Sequence, residues 1–491
     1  MSQAASTGAL NRRFSNAVAR LFQGRESGSR GHSGVFNLLA AIEEARLRHA
    51  EIHEIVEMLA VSKSALYRAL LSNFPSALEA KTVTLKILNL CLAKCHFSRK
   101  DTTLLSRPAG IVVDPSNACN LACPGCVHSA NAKALKLFEW GPGLLSRSCA
   151  TSFLKRYGAH AIHATFCNYG EPLVNPDTPI FVATAKRYGL RTLLSTNLAL
   201  PRFDADGYVE SGLDYMVLSI DGATQPVYER FRKKGDLELV YANVRKLVEA
   251  KRRFKASTPI IAWRYLAFEH NAHEVPAALE KAAALGVDQF RVDPAWDVSW
   301  DDPGIRPAGI RPMVKEFNSG SAAALVENWE KWRLRLDADT IEREFEEYCA
   351  NPVVLDTPPS EASGGSHSGK TCEWLYKNLT MDAAGKIFPC CCSPRARADL
   401  HFAQFEGSDS GQTPADEVFN SSKHRLARLF FADPRRYEQS RDAGGFGRGP
   451  YCARCEWEKT ADPQRDQIEV YFSAAGRTPL DRESVTLLSS W

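Results

Sequence analysis

The chain has 491 residues, enough for about three domains with buried cores. Its 61 basic and 57 acidic side chains leave a formal net charge of +4, too balanced for a protein dominated by nucleic-acid binding. The sequence contains no run of about 18 apolar residues that could cross a membrane, and no apolar signal-peptide core. We therefore expect a cytoplasmic protein. In that reducing compartment its 14 cysteines are expected to bind metal or do chemistry.

The N-terminal third begins with a polar, basic segment, residues 1–33, which we interpret as a flexible tail. A mitochondrial presequence has a similar composition and is the alternative. Residues 34–105 predict a helical domain, because apolar side chains recur there at helical spacing. Within it, residues 55–71 have the pattern of a helix-turn-helix, for which a plain helical hairpin is the alternative. We favour the hairpin, because the surrounding sequence is not basic.

The middle of the chain, residues 106–300, alternates short β-rich runs with helical ones, which predicts an α/β fold. The six predicted strands cover residues 111–114, 162–167, 191–196, 215–220, 260–266 and 289–293. Such alternation is typical of a parallel sheet with right-handed crossovers. Six units predict a partial (β/α)6 TIM-like barrel, whose functional groups should lie where strands end.

The last third has a weaker pattern. Residues 301–355 are predicted to be a helical connection, with helices at 322–336 and 340–348, and residues 356–370 are a linker rich in Pro, Gly and Ser. Residues 371–491 are predicted to form a small Cys-rich α+β module. Ala384-Gly385 within residues 379–388 is a hairpin signal.

Three cysteines directly follow the first predicted strand, with the spacing C-x3-C-x2-C: Cys119, Cys123 and Cys126. Zinc is the natural competitor, but structural zinc sites use four ligands, and no fourth Cys or His lies at the spacing of a zinc finger. Three thiolates suit a cubane iron–sulfur cluster in which one iron has no protein ligand. That iron could bind a cofactor or substrate directly.

This cysteine spacing resembles the signature of the radical S-adenosylmethionine (radical SAM) superfamily, and three further runs match in order. Tyr169-Gly170-Glu171-Pro172 resembles the GGEP motif, with Tyr in place of the first Gly, and Ser195-Thr196-Asn197 resembles the T-N turn. The third run, Ser219-Ile220-Asp221-Gly222 followed by Tyr228 and Arg232, resembles S-I/L-D-G…Y-x-x-x-R.

The resemblance implies that Cys119, Cys123 and Cys126 hold a 4Fe–4S cluster that binds S-adenosylmethionine. It also implies a set of cofactor-binding residues: Tyr169, Gly170, Glu171, Pro172, Ser195, Asn197, Ser219 and Arg232. Arg232, or less favourably Arg230, would answer the carboxylate of the cofactor. The alternative for both arginines is a solvated helix face.

A second group of four cysteines lies in the C-terminal module: Cys372, Cys390, Cys452 and Cys455. Four thiolates can hold zinc or an iron–sulfur cluster. The pattern C-x17-C…C-x2-C resembles the twitch form of the SPASM domain, which implies an auxiliary 4Fe–4S cluster. Cys391 and Cys392 adjoin Cys390, whose spacing favours it as the ligand. They are either packing residues or weak candidates for a catalytic hydrogen-atom donor.

The resemblance implies an enzyme, of oxidoreductase or lyase type, that cleaves S-adenosylmethionine reductively and abstracts hydrogen from a substrate. We predict a polar small-molecule substrate, because no peptide-binding winged helix is recognisable in the N-terminal sequence. A peptide-modifying maturase is the alternative, and a helix-turn-helix regulator with iron–sulfur or zinc sensing domains is the alternative from another class. The expected partner is an electron donor such as flavodoxin or ferredoxin, while nucleic acid and membranes are not expected. The pocket candidates are Trp263, Arg264, Tyr265, Asp293 and Trp296, and for Trp263 and Tyr265 packing within the barrel is the alternative.

Overall fold

A computed structural model describes residues 99–130, 143–295, 302–308, 372–391, 393, 401–405, 416–444, 449–455 and 468–471, together with single helical positions between residues 86 and 97. Several predictions lie outside these residues: the basic tail, the helix-turn-helix pattern at 55–71, the helices at 322–336 and 340–348, and the linker at 356–370.

Six parallel strands form the centre of the fold: β1 (Gly110–Val113), β2 (His163–Thr165), β3 (Arg191–Thr196), β4 (Tyr215–Ser219), β5 (Ile260–Ala267) and β6 (Gln289–Pro294). They lie side by side in chain order, and every neighbouring pair is parallel. Parallel neighbours need crossover connections, and helices supply them. The predicted α/β fold with a partial TIM-like barrel is confirmed.

The described residues between these strands include six helices: α1 (Arg147–Tyr157), α2 (Thr178–Arg187), α3 (Ala205–Glu210), α4 (Gln225–Phe231), α5 (Leu237–Arg253) and α6 (Val275–Leu285). Side chains cap three of their N-termini, because Ser146, Asp204 and Asp236 each accept a backbone N–H from the first turn. Helix α6 ends at Gly286, whose φ of 78° suits glycine.

The two faces of the barrel sheet have different neighbours. On β5, Trp263 is fully buried and its ring lies 6.0 Å from that of Tyr241 on α5, so this face packs against the helices. Alternate residues point to the opposite, inner face. There a separate apolar cluster lines the barrel interior: Tyr215, Val217, Ile260 and Ala262, with Leu193 against it. This cluster forms an apolar floor below the carboxyl ends of the strands.

The C-terminal part extends the same sheet. Strand β7 (Asn378–Met381) pairs in parallel with β1, and β8 (Lys386–Phe388) and β9 (Ala403–Gln404) follow in antiparallel order. Strand β10 (Ile468–Tyr471) pairs antiparallel with β6 at the other edge. The hairpin predicted around Ala384-Gly385 is confirmed, and Gly385 has a φ of 75°. One ten-stranded sheet therefore crosses the predicted boundary at residue 371.

Where the structure describes the C-terminal part, it has three further helices: α7 (Trp374–Lys377), α8 (Ser422–Ala432) and α9 (Pro434–Ala443). Ser421 caps α8 by accepting the backbone N–H of His424. Asn420, just before it, both donates to and accepts from the backbone of Leu104, at 2.8 and 2.7 Å. The segment just before α8 is thus hydrogen-bonded to the segment that precedes β1. Among the described helices, none has the length and apolar character needed to cross a bilayer.

Candidate active site

Three cysteines lie together in the loop after β1. Cys123 is buried, and Cys119 and Cys126 are half-buried. Burial raises the pKa of Cys119 to about 12 and that of Cys123 to about 11, and the neighbouring thiols contribute to both shifts. The loop therefore brings the thiols of Cys119, Cys123 and Cys126 together at a site with little access to water. Thiolates are the ligands of iron–sulfur clusters, so this donor set fits the predicted cluster.

Glu171 joins two strand ends beside this loop. Its Oε1 accepts hydrogen bonds from the Thr196 hydroxyl at 2.6 Å and from the backbone N–H of Leu173 at 3.1 Å. Its Oε2 accepts from the backbone N–H of Asn197 at 2.9 Å. Burial raises the pKa of Glu171, although these three hydrogen bonds oppose the shift. The carboxylate thereby fixes the end of β3 against the loop after β2.

Asn197 connects Glu171 to the cysteine loop. Its Nδ2 lies 3.6 Å from Cys119 Sγ and 3.1 Å from Asn120 Oδ1. Asn120 in turn donates to the carbonyl of Ala199 at 2.8 Å. The structure thus brings the predicted residues of the second and third motifs to the predicted cluster ligands.

The run from Tyr169 to Pro172 packs tightly against the start of the cysteine loop. A Cβ on Gly170 would lie 1.6 Å from the carbonyl oxygen of Ser116, so no other residue fits there without movement of the backbone. The backbone N–H of Tyr169 donates to the Asp114 carboxylate at 3.1 and 3.2 Å. Pro172 begins a short 3-10 helix capped by Glu171.

The tyrosine that replaces the first glycine of the motif links the two cysteine regions. Tyr169 donates its hydroxyl to the carbonyl of Ser393 at 3.4 Å, three residues after Cys390. Its own carbonyl oxygen is 3.0 Å from Nε2 of His128, two residues after Cys126. One residue therefore contacts segments that follow both cysteine groups.

Arg232 lies at the C-terminal end of α4, and its side chain turns inward. Its Nε is 2.5 Å from Asp221 Oδ2, and its Nη1 is 4.0 Å from Cys123 Sγ. Burial alone would lower the pKa of the guanidinium, but Asp221 and Cys123 outweigh this and raise it. The alternative of a solvated helix face is thus wrong for Arg232. Arg230 is exposed and donates to the carbonyl of Gly304 at 3.4 Å.

The pocket candidates on β5 separate by strand face. Trp263 donates its indole N–H to the carbonyl of Ile220, and Tyr265 donates its hydroxyl to the carbonyl of Asn271. Both rings are fully buried on the helix side, so their predicted place in a pocket is wrong, because strand alternation turns them away from the barrel interior. Arg264 lies between them on the inner face. Trp296 lies outside the described residues.

The inner face also carries a polar group formed by Ser195, Ser219 and Arg264, together with Cys167, which no motif assigned. Ser195 Oγ and Ser219 Oγ are 3.3 Å apart, and Arg264 Nη2 is 3.2 Å from Ser219 Oγ. Cys167 lies at the end of β2, and burial raises its pKa to about 12. Asp221 pairs with Arg232 and accepts the backbone N–H of Leu266 at 2.7 Å. For Cys167, its position at the end of a predicted strand was the only sequence signal.

The second cysteine group converges around Cys452. Burial raises the pKa of Cys452 well above its usual value, and the next causes are Cys390, Cys372 and Cys455 in that order. These four thiols therefore share one neighbourhood. Cys391 is half-buried like Cys390, and Cys392 lies outside the described residues. Within the described ranges, no three His, Cys, Asp or Glu side chains are arranged to hold a single metal ion.

The part of the chain that carries the first site matches a known family. Residues 113–266, from the last residue of β1 into β5, match the model of the radical SAM superfamily. This match implies a 4Fe–4S cluster and S-adenosylmethionine as cofactors, and it supports a radical SAM enzyme.

Two curated relatives and one solved structure are similar over longer stretches. The PqqA peptide cyclase of Gluconobacter oxydans is 25% identical over 290 residues, covering 59% of this chain and 71% of that protein. The PqqA peptide cyclase of Methylorubrum populi is 25% identical over 293 residues, covering 58% and 67%. The crystal structure of Streptococcus suis SuiB bound to S-adenosylmethionine has 14% sequence identity and a TM-score of 0.41, covering 84% of this chain and 83% of that one.

Proposed function

We propose that the chain is a radical SAM enzyme that modifies a peptide. The observation that carries the peptide assignment is the similarity to curated proteins named PqqA peptide cyclases. It favours the maturase alternative over the small-molecule substrate that the sequence analysis preferred. The net reaction we propose is an oxidative modification of the peptide.

In this proposal, Cys119, Cys123 and Cys126 hold the cluster that binds the cofactor. When bound, the reduced cluster and S-adenosylmethionine supply a 5′-deoxyadenosyl radical that removes hydrogen from the substrate. The run from Tyr169 to Pro172 together with Ser195, Asn197 and Ser219 lines the place of S-adenosylmethionine. This assignment is supported by the contacts of Asn197 with Cys119 and Glu171.

Arg232 and Glu171 act on this site through other groups. The guanidinium of Arg232, held by Asp221, places positive charge beside the Cys123 sulfur and favours its thiolate form. Glu171 accepts three hydrogen bonds from the ends of both strands, and through them it fixes the loop that approaches the cofactor.

The second site would hold an auxiliary 4Fe–4S cluster through Cys372, Cys390, Cys452 and Cys455. The common neighbourhood of these thiols supports this, and the 18-residue spacing from Cys372 favours Cys390 over Cys391 as the ligand. Zinc remains the competing occupant, since both accept four thiolates. An electron donor such as flavodoxin or ferredoxin would reduce the enzyme.

Anaerobic reconstitution with iron and sulfide tests the clusters. We expect about eight irons per chain and release of 5′-deoxyadenosine after reduction with S-adenosylmethionine. Changing Cys119, Cys123 and Cys126 to Ala should halve the iron and abolish the release. Cys149→Ala is the matched control, since this half-buried thiol on α1 lies outside both groups. Four irons with bound zinc would contradict the auxiliary cluster, and no release would contradict the proposed activity.

The substrate class can be tested with a cell extract split into two portions, one digested with protease. The untreated portion should stimulate 5′-deoxyadenosine release above the rate without extract, and digestion should remove that stimulation. Stimulation that survives digestion would contradict the peptide assignment and favour a small molecule.

A further inference from the structure

Arg264 occupies a central position at the inner face of the barrel. On the sheet it lies directly between Ser219 of β4 and Arg291 of β6 in the strand register. The apolar floor formed by Val217 and Ala262 lies one inward-facing position below it. Its guanidinium therefore stands at the boundary between an apolar interior and the polar ends of the strands.

The other charged groups around Arg264 are paired with one another. Arg291 holds Asp293 with two contacts, Nε to Oδ1 at 2.8 Å and Nη2 to Oδ2 at 2.9 Å. Arg232 holds Asp221 at 2.5 Å. These two pairs are also the charges that act most strongly on Arg264, two of each sign. This group therefore contains three arginines but only two carboxylates, and each carboxylate is paired with an arginine other than Arg264.

The hydrogen-bonding capacity of Arg264 is also largely unused. Its Nη2 donates to Ser219 Oγ at 3.2 Å, but its buried Nε has no partner in the part of the chain that the structure describes. Burial lowers the pKa of this guanidinium, because the charge is deprived of water. Arg264 is half-buried, and no carboxylate among the described residues forms a salt bridge with it, so its charge is available to an anion at the edge of the site.

A purely structural arginine looks different in this protein. Arg428 on α8 is fully buried, and its donors reach four acceptors: the carbonyls of Leu375, Thr102 and Phe419 and the side chain of Asn420. That guanidinium ties neighbouring segments together and has no need of a ligand. Within the described residues, the side chain of Arg264 makes one hydrogen bond, to Ser219 on the neighbouring strand, and connects no distant segments.

We propose that Arg264 anchors a carboxylate-binding site in the barrel mouth, with Ser219 as its polar neighbour. A guanidinium presents a planar pair of donors that matches a carboxylate, and charge-assisted pairs of this kind are the strong hydrogen bonds of proteins. The carboxylate belongs either to the methionyl group of S-adenosylmethionine or to an acidic side chain of the substrate. The second source rests on the proposed peptide substrate.

Two pairs of probes distinguish these sources by anaerobic equilibrium binding to the reconstituted enzyme. The first pair is S-adenosylmethionine and decarboxylated S-adenosylmethionine. The second pair, added with S-adenosylmethionine present, is N-acetylglutamate amide and N-acetylglutamine amide. In the wild type, one pair should show an about 10- to 100-fold preference for the carboxylate-bearing member, as expected for a charge-assisted pair.

Arg264→Gln should remove that preference without changing the iron content. Arg230→Gln is the matched control, because this exposed arginine lies on α4 and should leave the preference intact. If Arg264→Gln fails to hold iron, Arg264→Lys takes its place, and it should reduce the preference because lysine lacks the planar donor pair.

If Arg264→Gln loses the preference for S-adenosylmethionine over its decarboxylated form, the site binds the cofactor. If it loses the preference for N-acetylglutamate amide over N-acetylglutamine amide, the site binds the substrate. The proposal is overturned if neither wild-type preference exists, or if the preference is unchanged in the Arg264 variant. S-adenosylmethionine that fails to bind the wild type at all would instead contradict the proposed function.

Discussion

Gly170 shows how a single missing side chain shapes the site. The loop after β2 passes so close to Ser116 that a Cβ at this position would lie 1.6 Å from a backbone carbonyl oxygen. Neither backbone can yield cheaply, since Asp114 and Ala118 hold the two sides of Gly170 through Tyr169 and Glu171. The close approach is thus built into the start of the cysteine loop.

We therefore expect Gly170→Ala to lower the free energy of unfolding by about 1–3 kcal/mol and to weaken the binding of S-adenosylmethionine at least about tenfold. Gly143→Ala is the control, because a Cβ there meets nothing within 4 Å. Denaturant unfolding and equilibrium binding on the two variants check this. Equal behaviour of the two variants would show that the loop tolerates the methyl group.

Motif residues in the site could be predicted from sequence because each follows a strand directly. Parallel strands end at the same edge, so Glu171, Asn197 and Ser219 were expected near the cysteines. The structure places Asn197 beside Cys119 and Glu171 beside Asn197, while Ser219 lies beside Ser195. The pairing of Arg232 with Asp221 could not be predicted, since it depends on how α4 folds back. Trp263 and Tyr265 were misplaced because the sequence alone did not say which alternate face of β5 is inward.

At the scale of the element, helix α8 joins the C-terminal part to the barrel through one buried side. From this helix, Arg428 donates to the carbonyl of Thr102, which lies before β1, and to the carbonyl of Leu375, which lies on α7. The guanidinium also lies over the Phe419 ring, 4.8 Å from its centroid. The guanidinium of Arg428 thus contacts three segments that are distant from one another in sequence.

Arg428→Gln should lower the free energy of unfolding by about 2–4 kcal/mol, because buried carbonyls lose their donors. Arg425→Gln is the matched control, an exposed arginine three residues earlier on the same helix, and it should change stability by less than about 0.5 kcal/mol. Chemical denaturation of both variants measures the difference. Similar losses in both would mean that the buried contacts contribute little.

The strands of the barrel were predicted to within two residues at each end, because short β-rich runs are separated by recognisable helices. The pairing of β7 with β1 was not predicted. Local sequence patterns indicate where a strand lies, but they do not indicate which distant strand it pairs with. For the same reason, the C-terminal part was expected to be a separate module, whereas its strands continue the barrel sheet.

For the whole molecule, buried histidines make stability depend on pH. Burial lowers the pKa of His163 to about 4 and that of His424 well below its usual value. In the unfolded chain these imidazoles take up protons near pH 6.5, whereas in the folded protein they resist protonation. The unfolded state therefore binds more protons between about pH 6.5 and pH 4, and stability falls as the pH is lowered through this range.

We expect the free energy of unfolding to fall by about 1–2 kcal/mol per buried histidine between about pH 7 and pH 5. His424→Gln should show a shallower dependence than the wild type, because it removes one proton-binding group. His273→Gln, which changes an exposed histidine, should keep the wild-type slope. Denaturation at several pH values tests this, and comparison of the two variants cancels any loss of clusters in acid. Identical slopes in all three proteins would refute the assignment to His424.

The parallel pairing of β7 with β1 has a consequence for biosynthesis. The first barrel strand leaves the ribosome roughly 270 residues before the strand that covers its outer edge. Throughout that interval the nascent chain carries an open row of backbone donors and acceptors, which other chains could join. The last part of the polypeptide is thus also what protects the first strand from aggregation, and a prematurely terminated chain would lack that protection.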